Sequence, residues 1–105
     1  MRMDKVYGLL GLCARAGQVV SGESGCEQAL RSAQAAFVLL DAQASGNTRK
    51  KFEDACAYRQ VPLYTLAAGQ LGQAIGKPNR MSAALKTGSL AQQLRVQLDA
   101  EEIEP

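Results

Sequence analysis

A chain of 105 residues and 11.2 kDa has room for one compact domain and excludes a complete (β/α)₈ barrel or a two-half dinucleotide-binding domain. Its 47% hydrophobic and 21% charged content is ordinary for a folded globule, and at this size roughly 65% of the unfolded chain's surface is buried, enough for a core without staples. The formal charge is only +2, but residues 96–105 hold Asp99, Glu101, Glu102 and Glu104 and no cation, which leaves 12 Lys/Arg against 6 Asp/Glu elsewhere. That excess fits ordinary solvated charge and equally fits attraction to a polyanion such as RNA.

Asp4 is placed to cap a first helix in which Val6, Leu9, Leu10 and Cys13 recur at three-to-four spacing, with Gly17 as its stop. Gln18 to Ser21 reads as a short strand. Gly22-Glu23-Ser24-Gly25 follows, with Ser24 as a candidate cap for a helix from about Cys26 through Ser32. Phe37-Val38-Leu39-Leu40 is short, branched and uncharged, the pattern of a buried central strand. Ser45-Gly46-Asn47-Thr48 caps a helix to about Arg59, Pro62 to Leu66 is a strand, Leu71 to Ile75 a short helix closed by Gly76, and Met81 to Leu85 a last strand. Leu90, Leu94 and Leu98 at spacing of four mark a terminal amphipathic helix from Gly88 to Asp99. Alternating helices and strands predict an α/β fold with helices on both faces of a sheet of about four strands. The expected organisation is one domain over residues 1–98 and an acidic tail over residues 99–105.

There is no histidine, which removes the commonest general base and metal ligand. Cys13, Cys26 and Cys56 are odd in number and contain no C-x-x-C pair, which argues against a zinc site or a disulfide framework and for reduced, half-buried thiols. Cys26, near a helix start, is the one thiol whose position could favour the thiolate, but a buried, inert cysteine is the expected reading. No cofactor and no enzymatic constellation is expected. The charged start and the interrupted uncharged run between Gln60 and Gly76 predict neither a signal peptide nor a membrane span, hence a cytoplasmic protein.

Three glycine groups invite phosphate readings. Gly72-Gln-Ala-Ile-Gly76-Lys77-Pro78 has one residue too few between its glycines for a Walker loop and lacks the hydroxyl. Gly69-Gln-Leu-Gly72 has the G-x-x-G form of a nucleic-acid clamp, but the form is common and is read here as a plain helix start. Residues 21–25 lie between a strand and a helix, where free amides and the helix dipole can hold an anion, or where Ser24 simply caps the turn. Arg49, Lys50 and Lys51 oppose the dipole of their own helix, which suggests a compensating use such as a phosphate. They fan around the helix, so they are not expected to share one ligand.

Several strings resemble the kink-turn-binding ribosomal protein superfamily of the L-seven-Ae and L-thirty-e type, and its bacterial YlxQ-like branch most closely. They are Gly8-Leu-Leu-Gly-Leu-Cys-Ala-Arg-Ala-Gly17, Val19-Val20-Ser21-Gly22, Phe37-Val-Leu-Leu40, Ser45-Gly-Asn-Thr-Arg-Lys-Lys-Phe52, Val61-Pro62 and Leu71-Gly-Gln-Ala-Ile-Gly-Lys77. The resemblance implies a three-layer α/β/α sandwich that binds structured RNA, ribosomal RNA included, in the setting of translation. It implies a glycine-led motif at the start of the second helix as the reader of a kink-turn, and a loop before the last strand that packs on an extruded nucleotide. In this chain Gly22 matches the glycine, whereas Ser24, Gly25 and Gln28 depart from the family's Asn/Lys, Glu/Gln and lysine positions. Glu23 lies between them. The backbone of residues 22–26 and the cations Arg31, Lys50, Lys51, Lys77 and Arg80, with Met81, remain as candidates to hold a bent phosphate backbone. The alternative is a module of the same fold that has lost RNA binding and docks a ribosomal or transcription partner through its terminal helix and residues 99–104.

Overall fold

The computed structural model describes residues 3–101 of the protein. Its elements are α1 (Met3–Arg15), β1 (Val19–Ser21), α2 (Glu23–Arg31), β2 (Ala35–Asp41), α3 (Gly46–Arg59), β3 (Leu63–Leu66), α4 (Gln70–Ile75), β4 (Ser82–Lys86) and α5 (Ser89–Ala100). The strands form one mixed sheet in the order β1-β4-β2-β3, with β4 antiparallel to both its neighbours and β3 parallel to β2.

Strand alternation sorts the core into two layers. Phe37 and Leu39 of β2 join Tyr64, Leu66 and Leu85 against Val6, Leu10 and Cys13 of α1, Leu71 of α4, and Leu94 and Leu98 of α5. Val38 and Leu40 point the other way and pack on Cys26 and Leu30 of α2 and Phe52 and Cys56 of α3. The predicted α/β/α sandwich is therefore the observed one. Phe37 meets Tyr64 edge to face at 5.5 Å, and the Tyr64 hydroxyl leaves the core to donate to Asp99 of α5 at 3.1 Å.

Element limits differ from the sequence expectation in instructive places. Asp4 sits in the first turn of α1 and not ahead of it. The second helix begins at Glu23, three residues before the expected Cys26, and its N-cap is Gly22 instead of Ser24. Gly22 adopts φ 90°, ψ 160°, a corner that L side chains rarely occupy, and its carbonyl already accepts the Cys26 amide at 3.0 Å. Ser24 and Gly25 consequently lie inside the first turn. A Cβ on Gly25 would come within 2.6 Å of Val20 Cγ1, so the glycine is what lets α2 close upon β1. At α3 the expected cap holds: the Ser45 hydroxyl accepts the Thr48 amide at 3.1 Å. Asp99 and Ala100 belong to α5, and residues 102–105 of the acidic segment lie outside the described residues.

The register brings the C-terminal ends of β1, β2 and β3 and the start of β4 to the same end of the sheet: Ser21 pairs with Ala83, Leu40 with Ser82, and Asp41 with Leu66. Since α2, α3 and α4 each follow one of those strands, all three begin at that end.

Candidate functional site

The helix starts at this end are finished in different ways. Ser45 caps α3 with its side chain, and Gly69, in the left-handed region at φ 80°, leads into α4. Among the described residues no side chain caps α2. Of the five amides of residues 22–26, that of Gly22 donates to the Ser82 carbonyl at 2.9 Å and that of Cys26 donates to Gly22. The amides of Glu23, Ser24 and Gly25 occupy the first turn, where a helix offers them no acceptor of its own.

The loop before β4 folds across these starts. Gly76 (φ 74°) ends α4, the Lys77 amide returns to the Gly72 carbonyl at 2.9 Å, and Asn79 turns the chain at φ 67°. Gly72 is required here, because a Cβ would lie 2.8 Å from the Lys77 carbonyl oxygen. Pro78 fixes one backbone dihedral between Lys77 and Arg80 and so narrows the loop's unfolded freedom. Lys77, Asn79 and Arg80 are exposed, and Met81 is half-buried.

Arg80 then crosses the uncapped helix: its Nη1 lies 2.7 Å from the place where a Cβ on Gly22 would stand. The segment from Asn79 to Met81 lines two hollows. One, of about 290 Å³, opens onto Gly22, Glu23 and Thr48. The other, of about 480 Å³, has Asp41, Gln43, Gly69 and Gly72 on its opposite wall.

Asp41, absent from the sequence-derived candidates, organises this second wall. It is fully buried, and its two carboxylate oxygens accept the amides of Gln43 and Gly69, both at 2.8 Å. Its own amide donates to the Met81 carbonyl at 2.9 Å. One residue at the end of β2 thus holds the start of α4 and the end of the β4 loop together. A carboxylate directly after four buried apolar residues was the available signal.

The remaining predicted cations have other surroundings. Lys51 spans α2 and α3, bonding Glu27 at 2.8 Å with Glu23 at 3.7 Å, while Lys50 pairs with Asp54 at 3.1 Å and Arg31 with Glu27 at 3.8 Å. The Lys51 hydrogen bond holds the Glu27 carboxyl below its ordinary range and, reciprocally, raises the Lys51 ammonium. Glu23 also accepts from Thr48 at 3.3 Å, and Arg49 donates to Thr65 at 3.1 Å. Among the described residues neither Lys77 nor Arg80 has an ion-pair partner. Gln28 is exposed one helical turn beyond Ser24.

The cysteines are buried and free, not half-buried as the sequence suggests. Burial pushes the Cys26 thiol up to about 11 despite a side-chain hydrogen bond with Ser82, and pushes Cys56 up to about 11 as well. Cys26 stands within α2 instead of at its start, and its desolvation favours the buried, inert thiol over the thiolate. Among the described residues no group of three ligating side chains could hold a metal, and no helix is long and apolar enough to cross a membrane.

This architecture has relatives. The chain is 42% identical over 94 residues to the RNA-binding protein YlxQ of Bacillus subtilis (strain 168), covering 89% of this chain and 94% of that protein. It is 34% identical over 86 residues to the RNA-binding protein YlxQ of Enterococcus faecium, covering 81% and 84% respectively. A solved protein of unknown function from Bacillus halodurans superposes with a TM-score of 0.84 at 34% identity, over 90% of this chain and 97% of that one. The 15.5kD RNA binding protein of Giardia lamblia shares the fold, with a TM-score of 0.78 at 15% identity over 96% and 88%. Residues 4–93 match the model of one family, and the chain belongs to it: the ribosomal protein L7Ae/L30e/S12e/Gadd45 family.

Proposed function

We propose that this chain is a non-enzymatic, cytoplasmic RNA-binding protein that grips structured RNA at the end of the sheet where α2, α3 and α4 begin. The observation that carries the reading is Arg80, which lies across Gly22 at the uncapped start of α2 and has no carboxylate partner among the described residues. An RNA phosphate at that point would meet a guanidinium, the amides of residues 23–25 and the positive end of a helix dipole together. The names of the bacterial relatives and the family membership support RNA as the partner.

The finer reading is recognition of kink-turn-like or ribosomal RNA by shape and phosphate contacts. Gly25 carries no side chain for a guanine edge and Gln28 no charge, so backbone and cation contacts would carry the affinity. Gly22, Glu23, Ser24, Gly25, Lys77, Arg80 and Met81 form the centre of the proposed surface. Gln28, Arg31, Lys50 and Lys51 lie on its α2–α3 flank, and the three cations would reach phosphate only by exchanging their carboxylates for it.

That last feature also favours the second reading, a protein-docking module of the same fold, since those cations are neutralised within the chain. Titrating a kink-turn RNA and a matched straight duplex at several salt concentrations separates the two. Affinity that falls steeply with salt and prefers the kinked RNA supports the proposal. Salt-steep binding without preference retains RNA binding and removes kink-turn recognition, and binding no stronger than a weak polyanion background favours docking.

A further inference from the structure

We propose that the free edge of β3 is a self-association surface, across which two copies of this chain pair as antiparallel strands about a two-fold axis at Tyr64. β3 closes one side of the sheet. Its inner side is occupied by β2: the Val38 amide donates to the Pro62 carbonyl at 3.0 Å and the Ala42 amide to the Leu66 carbonyl at 2.9 Å. Main-chain groups alternate along a strand, so Tyr64 also addresses β2, and the amides and carbonyls of Leu63 and Thr65 face away from the sheet.

Beside this row a groove of about 380 Å³ runs between β3 and α3, with Arg49, Glu53, Ala57, Leu63 and Thr65 among its walls. The Arg49 guanidinium is anchored on Thr65 Oγ1 at 3.1 Å. Glu53 stands one helical turn further along α3, which runs antiparallel to β3 as the crossover between two parallel strands. Neither residue forms an ion pair among the described residues.

The placement of these charges selects a second copy as the occupant. Rotation about Tyr64 sets Leu63 opposite Thr65 of the second copy, two outward-facing residues that exchange both main-chain hydrogen bonds, and symmetry repeats the pair. The same rotation carries Arg49 of each copy toward Glu53 of the other. A foreign strand would have to supply an acid and a base at matching positions, whereas this chain holds both. A register shifted toward the start of the strand meets Val61, whose amide is already donated to the Cys56 carbonyl at 2.9 Å. The edge is short, so the expected dimer is weak and reversible.

Sedimentation velocity on the full chain without RNA tests this over a rising concentration series. The wild type is expected to pass reversibly from monomer to dimer. Arg49→Glu and Glu53→Arg should each weaken association about tenfold or more, since each creates two like-charge contacts. An equimolar mixture of the two should associate again, one variant offering two carboxylates and the other two guanidinium groups. Thr65→Pro, which removes an outward amide and leaves the β2 ladder intact, should abolish dimers, and circular dichroism establishes that each variant is folded. A wild type that stays monomeric, association indifferent to the charge swaps, or a monomer that takes up an extended peptide at β3 would each overturn the proposal. RNA takes no part in the measurement, so failure here leaves the proposed RNA surface standing.

Discussion

Asp41 accepts the amide of Gly69 at 2.8 Å, a bond between residues 28 apart in the chain that fastens the start of α4 to the end of β2. Replacing one of its two acceptor oxygens by an amide NH₂ leaves one part-buried main-chain donor without its acceptor, which costs on the order of 1 kcal/mol. Asp41→Asn is therefore expected to lower the urea midpoint without changing the slope of the transition. Amide hydrogen exchange should accelerate first at Gly69 and Gln43, and unchanged exchange at both would remove Asp41 as the fastener.

Lys77 and Arg80 should act on RNA affinity and hardly on stability, because both are exposed and neither forms an ion pair among the described residues. Loss of two phosphate contacts is expected to flatten the dependence of log affinity on log salt by about 1.4 to 1.8 in the Lys77→Ala/Arg80→Ala double variant. Filter binding across a salt series reads the slope directly. A folded double variant with the wild-type slope would shift preference to the docking module.

Gly25 offers a test of packing against chemistry. Installing the family's acidic side chain there looks from the sequence like a route to kink-turn preference, but a Cβ would stand 2.6 Å from Val20 Cγ1. Valine is stiff at χ1, so Gly25→Ala should cost about 1–3 kcal/mol by overpacking. Adding Val20→Ala should recover part of that loss. Thermal denaturation of the two single variants and the double variant checks this, and strictly additive destabilisation would rule out the contact.

The thiols should be silent in the native state. With Cys26 and Cys56 held near 11 against an ordinary 9.0, the neutral form is favoured by folding. That stabilisation is complete below pH 9 and is lost as the pH rises through the window from 9 to about 11. A thiol-specific chromogenic reagent at pH 8 is expected to count three thiols only after denaturation, and rapid native labelling of Cys26 would contradict its burial.

The layer pattern was legible because it is local. The Leu90, Leu94, Leu98 spacing and the apolar run of β2 each announce a buried face within a few residues, and Leu94 and Leu98 are indeed fully buried. The start of α2 was not, since Ser24 and Gly22 are both competent caps and the choice depends on Gly22 bonding to Ser82, sixty residues away in sequence order. The charge pairing of Lys51 was hidden for the same reason: Glu23 and Glu27 become its neighbours only when α2 packs beside α3. Arg80 was legible as a cation in a loop with Lys77 and Pro78, but its position over Gly22 required the β1–β4 pairing.

The end of the sheet that gathers Gly22, Asp41, Gly69 and Arg80 is stitched from four separate stretches of chain, joined through β4 pairing and the Asp41 bonds. No single excised peptide can reproduce it, and partial unfolding that frees any one stretch dismantles the whole. A ligand bound there is consequently coupled to every layer of the domain, and mass action would make it raise the melting temperature of α1 and α5, which it never touches, as much as that of α2.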